Sequence, residues 1–198
     1  MDARGDCIRV VHPLFQEEGS GSIPTSPLQL RFGQITLQKA KELNDAWHSR
    51  LPRYAQTQCL VSYGAEHDGV FFAIAIWSNP SSAMIDASWI ELKRMAICSD
   101  APKNTASRML GWMIRDIRKL FPSCPRLISY QDPQVHTGGI YKASGWLCTG
   151  ARKSGGFAST TRRKREADQA PGDKVRWEYE LKPNVGVERL PARADDTK

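Results

Sequence analysis

The sequence has no long hydrophobic run. Its most apolar stretch is VFFAIAIW, residues 70–77, far short of the ~20 residues a membrane-crossing helix needs. The N-terminus shows no charged start followed by an apolar core and a small-residue cleavage site, so no secretory leader is expected. The five cysteines, at positions 7, 59, 98, 124 and 148, include no Cys-x-x-Cys pair. Neither a disulfide framework nor a cysteine zinc site has support in that spacing, and a reduced cytosol is the expected compartment. No internal repeat is visible, which excludes a solenoid. What remains is a chain of 198 residues, 40% hydrophobic and 25% charged, the profile of a water-exposed domain with one sizeable core.

Acidic residues are also missing where the basic ones gather. RKSGGFASTTRRKR, residues 152–165, holds six cations and no acid, while the whole chain carries a formal +7. The excess is therefore one local patch, as expected where a protein meets phosphates. Its glycines, serines and threonines suggest an arm or hairpin rather than a packed element. A solvated charge run is the plainer alternative.

Hydrophobic period places the elements. LQLRF (28–32) begins as a strand, and TLQKAKELNDAWHSRLP reads as a helix with Leu37, Ala40, Leu43 and Trp47 on one face and Pro52 as its stop. QCLVSY (58–63), VFFAIAIW (70–77) and SWIELKRMAI (88–97) read as an antiparallel meander separated by turn-rich stretches. PKNTASRMLGWMIRDIRKL (102–120) is the clearest helix. Met109, Leu110, Met113, Ile114, Ile117 and Leu120 form its apolar face, with Arg108, Arg115 and Arg118 largely opposite. RLISY (126–130), a second helix at GIYKAS and the alternating KVRWEYEL (174–181) complete the set. Strand, helix, three strands, helix, strand, helix, strand predicts an α/β three-layer sandwich, with a mixed, mostly antiparallel sheet flanked by helices. Residues 28–182 form that domain, 1–27 an irregular lead, 151–173 the basic insertion and 183–198 a flexible tail.

Chemistry concentrates in ISYQDPQVHTGGIYKASGW, residues 128–146. One loop leaving a strand carries Ser129, Asp132, His136, two glycines and Tyr141. On WIELKRMAI, strict alternation puts Ile90, Leu92, Arg94 and Ala96 on one face and Glu91, Lys93, Met95 and Ile97 on the other. Arg94 would then sit inside a covered sheet, where a charge costs several kcal/mol unless it is paired. Asp132 is its expected partner. At the start of the clearest helix, DAPKNTAS supplies Lys103, Asn104, Thr105, Ser107 and Arg108 beside the free N–H groups of a helix N-terminus, a ready anion site. Capping by Asp100 or Asn104 would use the same residues.

The element order and GGIYKASGWLCTG resemble the acyl-CoA-dependent N-acetyltransferase superfamily, the GNAT fold. More narrowly, ELKRMAICSDAPKNTASRML followed by SYQDPQVHTGGIYKASGW resembles the Mom proteins of Mu-like bacteriophages, over residues 89–150. WHSRLP (47–52) and FFAIAIWSNP (71–80) add weaker support. The pyrophosphate loop Q/R-x-x-G-x-G/A of ordinary acetyltransferases is absent, and DAPKNTAS stands in its place. The resemblance implies a transferase that converts adenine in double-stranded phage DNA to its N6-carbamoylmethyl derivative. It implies protection from host restriction, in the cytoplasm of a bacterial host, with acetyl-CoA or a related small molecule as donor. Tyr141 takes the place of a tyrosine that protonates a departing thiolate; a phenol near pKa ~10 suits that role. Asp132 and His136 are expected to orient or deprotonate the attacking amine, with Arg94 and Ser129 beside them. His48 resembles a Mom-family position, and with Asp132 and His136 it would make a two-His-one-carboxylate metal site. Arg152, Lys153, Arg162, Arg163, Lys164 and Arg165 would neutralise DNA phosphates, and the target base would be flipped out of the duplex. A conventional N-acetyltransferase and a catalytically inert DNA-binding module are the competing readings.

Overall fold

The computed structural model describes residues 23–48, 51, 53–152 and 173–181, with backbone only at 151 and 152. The N-terminal segment before residue 23, most of the basic insertion and the C-terminal tail lie outside the described residues. Among the described residues, seven strands form one sheet: β1 (Arg31–Gln34), β2 (Val61–His67), β3 (Val70–Ser78), β4 (Ile90–Ile97), β5 (Arg126–Gln131), β6 (Leu147–Arg152) and β7 (Lys174–Glu180). Their spatial order is β1-β2-β3-β4-β5-β7-β6. Every neighbouring pair is antiparallel except β4 and β5, which run parallel.

Helix α1 (Leu37–Trp47) covers one face and α2 (Thr105–Leu120) with the short α3 (Gly139–Ala143) covers the other. Met109, Leu110, Met113 and Ile117 of α2 are wholly buried, in a cluster with Trp77, Leu92, Leu127, Tyr141 and Trp177. Each such side chain contributes about 1.5–3 kcal/mol by leaving water. Ala40 and Leu43 of α1 pack with Tyr54, Ile74, Ile76 and Ala96 in a second cluster.

The three-layer α/β architecture is the expected one, with differences at the margins. Residues 27–29 form a 3-10 turn, so the first strand starts at Arg31. α1 ends at Trp47, before Pro52 is reached, because Asn44, fully buried, donates Nδ2 to the carbonyl of Leu51 at 3.1 Å and pulls the chain across the helix end. Leu120, assigned to the apolar face of α2, is 45% exposed in its last turn. β6 was not expected: LCTGAR lacks apolar alternation, and it is a strand because it pairs with β7 at the sheet edge. Cys98 is disulfide-bonded, against the all-thiol expectation, while Cys59, Cys124 and Cys148 are free. One bridge needs only two cysteines brought close by the fold, which sequence spacing does not report. Among the described residues no helix is long and apolar enough to cross a membrane.

Candidate active site

The parallel ladder between β4 and β5 holds only three residue pairs: Ile90 with Leu127, Glu91 with Ile128, and Leu92 with Ser129. Beyond it β4 stays paired to β3 as far as Ile97, and β5 to β7 as far as Gln131. The two central strands therefore part halfway along, and the sheet splits there. An unpaired stretch in mid-sheet leaves backbone groups in need of partners, and the candidate residues surround that split.

A β-bulge decides which face Arg94 takes. Trp77 pairs with Leu92 but Ile76 with Arg94, so Lys93 is an inserted residue. An extra residue reverses the in–out alternation beyond it. Ile90 and Leu92 pack in the α2 cluster, whereas Ala96 joins the α1 cluster and Arg94 lies 5.6 Å over the ring of Tyr54. The single-face assignment of these four residues is thus corrected. Lys93 folds onto Glu91, Nζ to Oε2 2.6 Å, with both side chains about 5% exposed. Glu91 also accepts the N–H of Ser81 at 2.9 Å.

The expected Arg94–Asp132 pair gives way to other partners. Arg94, buried, donates Nη1 to the carbonyl of Lys93 at 2.8 Å and Nη2 to that of Arg53 at 3.4 Å. Asp132 is paired with Lys174 at 3.0 Å and accepts the N–H of Gln134 at 3.0 Å. The bulge turned Arg94 toward the loop after α1, and β7 brought Lys174 to the end of β5.

His48 ends α1, and its Nδ1 accepts the N–H of Leu51 at 3.2 Å, which places its proton on Nε2. Burial, then the nearby charges of Arg94 and His136, lower its pKa to about 4. The imidazole is neutral at pH 7 and presents a donor. The fold thus brings His48, Arg94 and His136 into one electrostatic neighbourhood. It does not assemble a metal centre from His48, Asp132 and His136: among the described residues, no three His, Cys, Asp or Glu side chains cluster to hold an ion.

On the other face, Ser129 Oγ and Tyr141 OH are 2.8 Å apart, both buried, at the last position where β5 pairs with β4. Tyr141 stacks on Trp177 at 5.2 Å and meets the edge of Trp146 at 5.6 Å. Burial raises its pKa, so the phenol stays protonated,.

Residues that motif reading passed over hold the loop between these groups. Gln131, buried, donates Nε2 to the carbonyl of His136, and its Oε1 accepts Trp177 Nε1–H at 2.6 Å. Gly138 has φ +78°. A Cβ there would lie 2.6 Å from Gln131 Oε1 and closer still to the Trp177 ring. The alternation of KVRWEYEL placed Trp177 inward, and the Gly-Gly pair marked a tight turn; nothing in the sequence linked them to Gln131.

At the start of α2, Asn104 is in the left-handed region (φ 70°) and makes no side-chain cap bond. Thr105 is buried and donates Oγ1 to the carbonyl of Pro102 at 2.7 Å, while Ser107 donates to the carbonyl of Asn104 at 3.1 Å. Lys103 is exposed there. Arg108 points elsewhere, over the ring of Phe32 at 5.6 Å. Lys153 and Arg162, Arg163, Lys164 and Arg165 lie outside the described residues, and only the backbone of Arg152 is described, in β6.

Comparisons agree with this architecture. The chain is 27% identical over 160 residues to methylcarbamoylase mom of Escherichia phage Mu, covering 70% of this chain. The match spans 66% of that relative, about two thirds of its length. Among solved structures, it resembles a phosphinothricin acetyltransferase of the GNAT superfamily from Sinorhizobium meliloti in complex with AcCoA. There the TM-score is 0.54 at 14% identity, over 81% of this chain and 96% of that one. A Bacillus subtilis acetyltransferase in complex with CoA gives 0.53 at 13% identity, over 77% and 98%. The Escherichia coli ribosomal-protein-S18-alanine N-acetyltransferase gives 0.52 at 14% identity, over 81% and 98%. These likenesses show the GNAT fold, and the family model for the Mom protein family matches residues 29–182, so the chain belongs to the Mom family.

Proposed function

We propose that this protein is a DNA-modifying transferase that converts adenine to N6-carbamoylmethyladenine in double-stranded phage DNA, protecting it from host restriction. The observation that supports the reading is the split between β4 and β5, with Ser129 and Tyr141 on one face and His48 and Arg94 on the other. The name of the phage Mu relative supports the reaction, and the CoA-bound neighbours support an acyl-CoA-type donor. Attack on a plain acetyl thioester would give N6-acetyladenine, so the donor would have to carry the amide nitrogen as well. It needs a –CH2–CO–NH2 unit whose methylene carbon bonds to N6 as its bond to the leaving group breaks. The amides of the first α2 turn, not capped by a side chain, and Lys103 suit the anionic part of a phosphate-bearing donor,.

Adenine N6 is a weak nucleophile because its lone pair is delocalised into the ring, so positioning matters as much as basicity. His48 Nε2–H and the Arg94 region hold the polar side of the flipped nucleotide. Asp132 or His136 accepts the proton that the amine releases. Tyr141, with Ser129 orienting its hydroxyl, returns a proton to the leaving group. The basic stretch Arg152–Arg165 grips the DNA backbone, in the cytoplasm of the bacterial host.

The test is mass spectrometry of nucleosides from host DNA after expression. Wild type should yield the altered adenine. Asp132→Ala should abolish it, a loss of at least ~100-fold, while duplex binding stays within about twofold. Unmodified DNA together with tight acetyl-CoA binding would instead favour a conventional N-acetyltransferase.

A further inference from the structure

A concavity among the described residues lies away from the split. It is a groove of about 470 Å³ on the outward side of α2, and its walls include Phe32, Arg108, Trp112, Arg115, Arg118 and Tyr179. α2 belongs to the layer opposite α1 and Arg94, so this groove is separate from the polar cluster described above.

Three features of the groove point to one kind of ligand. First, it is cationic and no acid lines it. Asp116, on the same helix, is committed elsewhere: its Oδ2 accepts the Tyr63 hydroxyl at 2.9 Å and Gln34 Nε2 at 3.2 Å. Second, Arg118 Nε is buried with no hydrogen-bond partner among the described residues, a cost that an anion would relieve. Third, the cations form a row with aromatic faces beside it. Phe32 and Trp112 have ring centroids 5.9 Å apart, and Arg108 overhangs Phe32.

The length of the row selects among phosphate ligands. Arg108 to Arg118 spans about 15 Å along the helix at its usual rise. A single phosphate or pyrophosphate engages one or two of the three guanidinium groups. A nucleic-acid strand, rising ~3.4 Å per nucleotide, offers about four charges over that distance. A cationic groove interleaved with aromatic rings is how proteins hold exposed strands without reading sequence.

We propose that the outward face of α2 is a second nucleic-acid site, in which Arg108, Arg115 and Arg118 hold successive phosphates and Phe32 and Trp112 contact a base. The proposal rests on the nucleic-acid partner named above, not on the chemistry assigned to the split.

The test uses the full chain as wild type, as Arg115→Ala/Arg118→Ala, and as Arg31→Ala/Lys119→Ala, which removes the same charge outside the groove. Binding to a labelled duplex and to its single strand is followed by fluorescence anisotropy from about 50 to 200 mM salt. The groove variant should bind about tenfold more weakly than the control. Its plot of log affinity against log salt should be shallower by about 1.5–2. Affinity and slope equal to the control's overturn the proposal, and so does displacement of DNA by equimolar ATP, which would assign a mononucleotide. A wild type that binds neither form overturns the DNA reading as well. An adenine adduct with full DNA affinity in the groove variant sinks this proposal and leaves that reading standing.

Discussion

On the α1 side of the split, Arg94, His48 and His136 gather around a loop whose carbonyls and N–H groups hold the first two in place. On the α2–α3 side, Ser129 and Tyr141 share one hydrogen bond inside a box of tryptophan rings. Both regions meet the same two strands. The first gathers a guanidinium and two imidazoles. The second keeps a neutral hydroxyl pair dry. A sheet that splits in its middle can therefore present an electrostatic surface on one face and a proton-bearing, water-excluding one on the other.

The strongest way to break this comparison is to unpin the loop that joins the two sides. Gly138→Ala adds a Cβ at φ +78° against Gln131 and Trp177, and should cost about 3–5 kcal/mol in urea unfolding. Gly139→Ala, whose nearest contact would be Thr137 at 3.7 Å, should stay within about 0.5 kcal/mol of wild type. Equal stability of the two variants would mean that Gln131 and Trp177 do not hold the loop.

Tyr141→Phe comes next. It removes the hydroxyl and leaves Ser129 alone, for about 1 kcal/mol of stability. If the phenol delivers a proton, the rate of adduct formation should fall about 100-fold with unchanged DNA binding. A stability loss without a rate loss would assign Tyr141 to packing and make its side of the split purely structural.

The effect confined to low pH is the response of the other side. His48 has its folded pKa depressed to about 4 from 6.5, so the unfolded chain binds the proton more readily. Its contribution is flat above pH 6.5. Stability is then lost as pH falls from 6.5 towards 4, by about 2 kcal/mol after allowance for solvent screening. His48→Gln should lose correspondingly less than wild type between pH 7 and 4.5 in urea titrations. Parallel curves would remove His48 from the buried cationic group.

Much of this fold is legible in the chain because one face of each main element is apolar at a fixed period. The α2 stripe from Met109 to Ile117 and the β7 alternation are examples, and both hold in three dimensions. β6 was not legible, since an edge strand with Leu147 69% exposed carries no such stripe. The candidate residues 128–141 were found by their chemistry, but their partners were not. Asp132 pairs with Lys174, and Gln131 with Trp177 and His136, across more than forty residues in two of these three contacts. Side-chain hydrogen bonds between distant strands leave no periodic trace.

Residue types alone determined that this chain builds a helix-flanked mixed sheet, where its cations concentrate, and which loop gathers Ser129, Asp132, His136 and Tyr141. Tertiary structure alone decided the face on which Arg94 lies, because one inserted residue at Lys93 reverses an alternation that the sequence presents as unbroken,. It also decided that His48 lies near Arg94 and His136, because closure of the loop after α1 on Asn44 is set by packing, and no local pattern encodes it.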